Sequence, residues 1–151
     1  MIIPKPLQIK VNHKEHFTLQ DNFSVYLDPQ IDLHHIPLFI TDHLLPPTGF
    51  QFHIKQSSDE SQLCFLYSSE VVNEGYDLEL TQGQLGVKSS TPSGHLYGLI
   101  TFMQLFDSAI FSDKKCDMKW EAICVSIKDS PQFSWRGMHL DCSRHFFNVA
   151  E

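Results

Sequence analysis

Asp141, Ser143, Arg144 and His145 stand together just after the strand-like run Trp135-Arg136-Gly137-Met138-His139-Leu140. A carboxylate, a hydroxyl, a guanidinium and an imidazole gathered at a strand end can bind polar substrates, hold ions and move protons. The pattern is that of a first strand of a (β/α)8 barrel, an architecture that keeps its chemistry at the carboxyl ends of its strands. Arg144 has the most pointed chemistry of the four, because its planar fork of donors can hold two neighbouring hydroxyls at once. On the residues alone a structural ion pair of Arg144 with Asp141 or another carboxylate is the plainer reading. Asp141 and His145 are candidates for orienting their neighbours. Arg136 opens the run, at the barrel end associated with stability, and is read as structural.

Other candidates carry less. Of the nine histidines, His34-His35 with His43 invite a metal reading, but consecutive helical residues point about 100° apart and no carboxylate-rich ligand pattern joins them. Surface or partly buried histidines are expected instead, with no metal and no cofactor. The four cysteines, Cys64, Cys116, Cys124 and Cys142, have no CxxC spacing and read as buried free thiols. Phe146-Phe147 could stack on a sugar, yet aromatic residues near a barrel mouth more often seal the core. A net charge of −7, with Lys114-Lys115 the longest basic run, argues against phosphate-driven nucleic-acid binding. No segment approaches the roughly eighteen apolar residues of a membrane span, and the start lacks a charged segment leading into an apolar run. The expectation is a cytoplasmic protein that does not bind membranes.

The elements that would position the charged cluster follow from periodicity. Phe17-Thr18-Leu19 and Phe23-Ser24-Val25-Tyr26-Leu27 flank the polar turn Gln20-Asp21-Asn22, as in a hairpin or a jogged pair of strands. Over residues 31–45, Ile31, His35, Leu38, Phe39, Asp42 and Leu45 approach helical spacing, with Pro46-Pro47 and Gly49 as the stop. Residues 50–54, 63–67 and 76–80 alternate apolar and polar, which predicts a sheet with one wet face. Gln82-Gly83-Gln84 then turns the chain into Leu85–Ser89 as a tight hairpin.

From Ser93 the stripe Leu96, Leu99, Ile100, Met103 and Phe106 predicts a helix, and Gly94 and Gly98 leave room for another element to approach closely. A stripe so broad expects cover on more than one side. Ala122–Ile127 is a last strand, ended by Asp129-Ser130-Pro131, where a boundary belongs. Blocks of strands and helices with a tight antiparallel hairpin predict an α+β domain over residues 1–130. An alternating β/α pattern starts only at residues 131–151.

Three blocks carry a family resemblance: Glu74-Gly75-Tyr76-Asp77-Leu78-Glu79-Leu80, then Ser90-Thr91-Pro92-Ser93-Gly94-His95-Leu96-Tyr97-Gly98-Leu99, then the closing stretch from Asp129 through Leu140-Asp141-Cys142-Ser143-Arg144-His145-Phe146-Phe147. Together and in this order they resemble the family 20 glycoside hydrolases, the β-N-acetylhexosaminidases. The resemblance implies an amino-terminal zincin-like domain over 1–130, an antiparallel sheet with two helices on one face that pack against a barrel. Residues 131–151 would be the first strand and loop of that catalytic (β/α)8 barrel. The chain contains no His-Glu-x-x-His, so a zinc-protease function has no ligands to rest on.

Members of that family hydrolyse terminal N-acetylhexosamine residues of glycans or chitooligosaccharides by substrate-assisted retaining catalysis, in which the sugar's acetamido oxygen is the nucleophile. An adjacent Asp-Glu pair on a later barrel strand does the protein's share. Here the only adjacent acidic residues are Asp59-Glu60, in a Ser-rich turn ahead of the three blocks, so this chain is expected to be inactive by itself. Arg144 resembles the family arginine that binds the terminal sugar's hydroxyls. The leading expectation is therefore part of a β-N-acetylhexosaminidase, with its own barrel and a glycan as partners and a homo-oligomer as a further option. The rival is a stand-alone carbohydrate-binding or interaction module, against which the chain shows no row of exposed Trp or Tyr.

Overall fold

The computed structural model describes residues 2–139, 141 and 148. Seven strands form one mixed sheet: β1 (Gln8–Thr18), β2 (Phe23–Leu27), β3 (Phe52–Lys55), β4 (Leu63–Tyr67), β5 (Tyr76–Leu80), β6 (Leu85–Ser89) and β7 (Glu121–Asp129), in the order β1-β7-β5-β6-β4-β2-β3. The expected hairpin after Leu80 is present, with β5 and β6 antiparallel. β7 is antiparallel to both β5 and β1.

The other half of the sheet corrects the antiparallel expectation, since β2 runs parallel to β3 and β4, and β4 parallel to β6. Alternation of side chains reports one wet face but says nothing about the direction of a partner. β2 and β3 are joined by a helical crossover, so a βαβ unit lies where the sequence suggested only separate blocks. The expected pairing of the two earliest strands is also corrected. β1 joins β7, β2 joins β3 and β4, and the amide of Leu19 donates to Trp120 O at 2.9 Å instead of closing a local turn. The strand itself reaches back to Gln8 through a polar, exposed segment with a register irregularity between Asn12 and His16. Lys10, Lys14 and that irregularity are the devices of an edge strand, and they erase the alternating pattern.

The crossover helix starts at α1 (His35–Phe39), widens through a π-helical turn (Ile40–Leu44) and ends in α2 (Leu45–Thr48), with Gly49 left-handed at φ +67°. It buries Ile36, Ile40 and Leu44, with Leu33 buried just ahead of it, whereas Leu38 is 61% exposed. The stripe therefore lies on a different face from the one the sequence suggested. A strict spacing of four drifts off one side of an ordinary helix, and the widened turn returns Ile40 and Leu44 to it. Helix α3 (Pro92–Met103) follows β6 and buries Leu99, Phe102 and Met103 in the same core. Phe17, Phe102, Phe106 and Trp120 form an edge-on aromatic chain, with centroids 5.6, 5.0 and 6.3 Å apart in turn.

Candidate functional site

Helix α3 is set on the sheet by its glycines. A Cβ at Gly94 would fall 2.1 Å from Ser89 Oγ and 2.2 Å from Gly75 O, and one at Gly98 would fall 2.5 Å from Val87 Cγ1. The helix thus lies on β5 and β6 closer than any side chain allows, as the two glycines suggested. Thr91 caps it, its Oγ1 accepting from Gly94 N at 3.2 Å, and Ser89 Oγ donates to Gly75 O at 2.6 Å. His95 is fully buried, with Nδ1 2.9 Å from Thr91 O and Nε2 3.0 Å from Leu66 O. Burial lowers its pKa from the ordinary value, against the opposing pull of the two carbonyls.

The close docking brings α3 against the end of β7. Tyr76 OH lies 2.7 Å from Thr101 Oγ1 and donates to Asp129 Oδ2 at 3.3 Å, while Asp129 Oδ1 accepts from Leu7 N at 3.1 Å. Burial, with Asp129 adding to it, pushes the Tyr76 hydroxyl up to about 12. The amino-terminal arm crosses the same helix, where Gln104 accepts from Ile3 N at 2.7 Å and donates to Ile3 O at 3.1 Å. The arm is thereby tied to the carboxyl end of α3.

The chain leaving β7 returns to this seam through Arg136. One guanidinium nitrogen, Nη2, donates to both carboxylate oxygens of Glu74 at 2.9 and 3.0 Å and to Tyr97 OH at 3.3 Å, and Nη1 donates to Phe133 O. Between arm, helix and departing chain lies a cleft of about 430 Å³, walled by Ile3, Tyr97, Ile100, Pro131, Phe133 and Arg136. Its apolar rim continues outward, with Ile3 and Phe133 about 70% exposed and Trp135 at 87%. Such a rim suits a docking surface more than a reaction centre.

Of the residues singled out in the sequence, Asp141 is described and exposed. Arg144 and His145, with Leu140, Cys142, Ser143 and Phe146-Phe147, lie outside the described residues. Trp135 to His139 take no strand pairing; a parallel strand draws its ladder from neighbouring strands, and none is described beside it. Among the described residues no group of three or more His, Cys, Asp and Glu is arranged to hold a metal ion, and no helix is long and apolar enough to cross a membrane. Cys64 and Cys124 are buried free thiols, as expected, and Cys116 is half-buried. Glu74, Tyr97 and Gln104 were not singled out as site residues. The signal for the first two was available: Glu74, Tyr97 and Arg136 belong one each to the three family-like blocks, and the fold brings those blocks to one place.

Comparison places this architecture among glycosidases. The family 20 β-N-acetylhexosaminidase of Streptomyces coelicolor A3(2) superposes with a TM-score of 0.87 at 23% identity, covering 99% of this chain and 30% of that one. The exo-β-N-acetylglucosaminidase of Vibrio harveyi superposes at 0.73 with 25% identity, over 99% and 22%. The model of glycosyl hydrolase family 20, domain 2, matches residues 1–130, and the chain belongs to that family. Among curated relatives, β-hexosaminidase subunit A1 of Dictyostelium discoideum is 33% identical over 104 residues, which is 64% of this chain and 19% of that protein. The β-hexosaminidase of Porphyromonas gingivalis is 25% identical over 154 residues, or 99% and 20%. The chain thus spans about a fifth of the length of these relatives.

Proposed function

We propose that the chain is the accessory domain, with the first strand and loop of the barrel, of a β-N-acetylhexosaminidase that removes terminal N-acetylhexosamine by substrate-assisted retaining catalysis. The observation that carries this is the family 20 domain match over residues 1–130, followed directly by the stretch that resembles the start of the family's barrel. A boundary near residue 130 agrees with the last hydrogen-bonded strand ending at Asp129.

In this reading Arg144 holds the terminal sugar through its hydroxyls, a task suited to a fixed fork of donors, and Asp141 and His145 orient it. The cleft and the apolar rim around α3 face the barrel, which buries Ile3, Phe133 and their neighbours. The acid that protonates the leaving oxygen and the group that orients the acetamido belong to the barrel's Asp-Glu pair. This chain supplies the frame and one sugar contact.

The test is hydrolysis of a chromogenic N-acetylglucosaminide. The expected outcome is turnover by the protein in which this chain continues through a barrel, and none by the 151-residue chain. Turnover by the chain itself, or none by the longer protein, would overturn the reading. Saturable binding of chitobiose to the chain by itself would favour a carbohydrate-binding module.

A further inference from the structure

We propose that Arg136, Glu74 and Tyr97 form a latch that fixes the root of the proposed first barrel strand on the accessory domain, making Arg136 and Glu74 positioning residues for the sugar contact of Arg144. The inference rests on the reading of Arg144 given above. Its physical basis is the way Glu74 and Tyr97 are built into the domain.

Glu74 is not a loose surface carboxylate. It is held in the left-handed region at φ +58°, and the next residue, Gly75, donates to Val72 O at 2.8 Å and accepts from Ser89 Oγ at 2.6 Å. That carbonyl also abuts Gly94 of α3, so the loop, strand β6 and the helix are wedged together at the base of the carboxylate. Tyr97 comes from the same helix. The pair is partly sheltered, with side chains 38% and 29% exposed, and solvent and salt weaken it less than a fully exposed pair.

Within the departing run, Arg136 is the residue turned to the domain. Trp135 before it and Met138 after it are 87% and 86% exposed. Nη1 on Phe133 O closes the loop behind it, so the chain's direction at Arg136 is set from both sides. In the barrel strand proposed for residues 135–140, a slip of one residue at the root would turn every later side chain to the opposite face. Arg144 follows Arg136 by eight positions, so on the proposed reading the setting of the root reaches the end of the strand from which Arg144 departs.

The test compares variants of the longer protein with the same chromogenic N-acetylglucosaminide. Glu74→Gln is expected to raise KM about tenfold with kcat changed by less than about threefold, since lost orientation of a binding group weakens substrate binding before it touches the chemical step. The charge-swapped pair Glu74→Arg with Arg136→Glu should recover most of that loss, which a role in bulk packing would not allow. Arg144→Ala is the reference. If Arg144→Ala raises KM while Glu74→Gln does not, the latch is wrong and the sugar contact stands. If Arg144→Ala leaves KM unchanged, the sugar contact itself fails. A loss of activity that follows a fall in melting temperature, with no recovery in the swapped pair, also overturns the latch.

Discussion

Arg136 Nη2 lies 2.9 and 3.0 Å from the two carboxylate oxygens of Glu74, across 62 residues of sequence. This one contact joins the loop ahead of β5 to the chain that leaves β7, with Tyr97 of α3 alongside. Three stretches that resemble one family in sequence are neighbours because they build one seam. The same seam makes the domain sensitive at a few positions that can be tested singly.

Gly94→Ala should be among the most damaging small substitutions in the domain. The added methyl would meet the backbone carbonyl of Gly75 at 2.2 Å, and backbone cannot swing aside as a side-chain tip can. Overpacking of this kind costs about 3 kcal/mol, equivalent to a melting temperature lower by about 6–12 °C for a chain of this size. Differential scanning calorimetry of the 151-residue chain checks it. A drop under 2 °C would show that α3 can lift from the sheet at little cost.

His95 makes stability fall with acid. Its pKa is lowered from the ordinary value of 6.5, chiefly by burial, so the unfolded chain takes up a proton more readily than the folded one. The stabilisation is complete above pH 6.5 and is lost as pH falls below it towards the folded value. Urea midpoints measured at pH 8, 6.5 and 5 should fall more steeply for the wild type than for His95→Asn. Parallel curves would remove His95 as the cause.

Tyr76 is expected to titrate near 12, above the ordinary value of 10, because its hydroxyl is buried between Thr101 and Asp129. The unfolded chain loses this proton first, so the stabilisation is full below pH 10 and is lost as pH rises towards 12. Absorbance at alkaline pH should show a phenolate forming near pH 12 that Tyr76→Phe abolishes. The same variant forfeits two hydrogen bonds and should lose about 1–2 kcal/mol at neutral pH.

Thiol labelling should separate the described cysteines. Burial pushes the Cys64 thiol up to about 11, with Asp59 adding to it, and burial also raises Cys124. Cys116 is half-buried. In a Cys142→Ala background at pH 8, one equivalent of a disulfide reagent should react quickly, at Cys116, and two more only after denaturant is added. Fast labelling of Cys64 would mean that the loop over it opens readily.

Much of this was legible in the chain. Period-two alternation announced the strands from Phe52 to Ser89, and the turn around Gly83 announced the hairpin, because both are local consequences of side-chain direction and backbone freedom. Helix α3 and the work of Gly94 and Gly98 were readable for the same reason. The face of the crossover helix was not, since a π-helical turn rotates Ile40 and Leu44 into the core and no local pattern signals it. Nor was the first half of β1, where an exposed edge has no need of apolar alternation.

What the sequence by itself determined is most of the elements from β2 to β7, their order and the family to which the three blocks point. Each depends on residues within a few positions of one another. Only the tertiary structure decided that β2, β3, β4 and β6 run parallel, and that Glu74, Tyr97 and Arg136 meet. Strand partners and ion pairs are chosen by groups tens of residues away, through backbone bonds and close approach that no stretch of sequence contains.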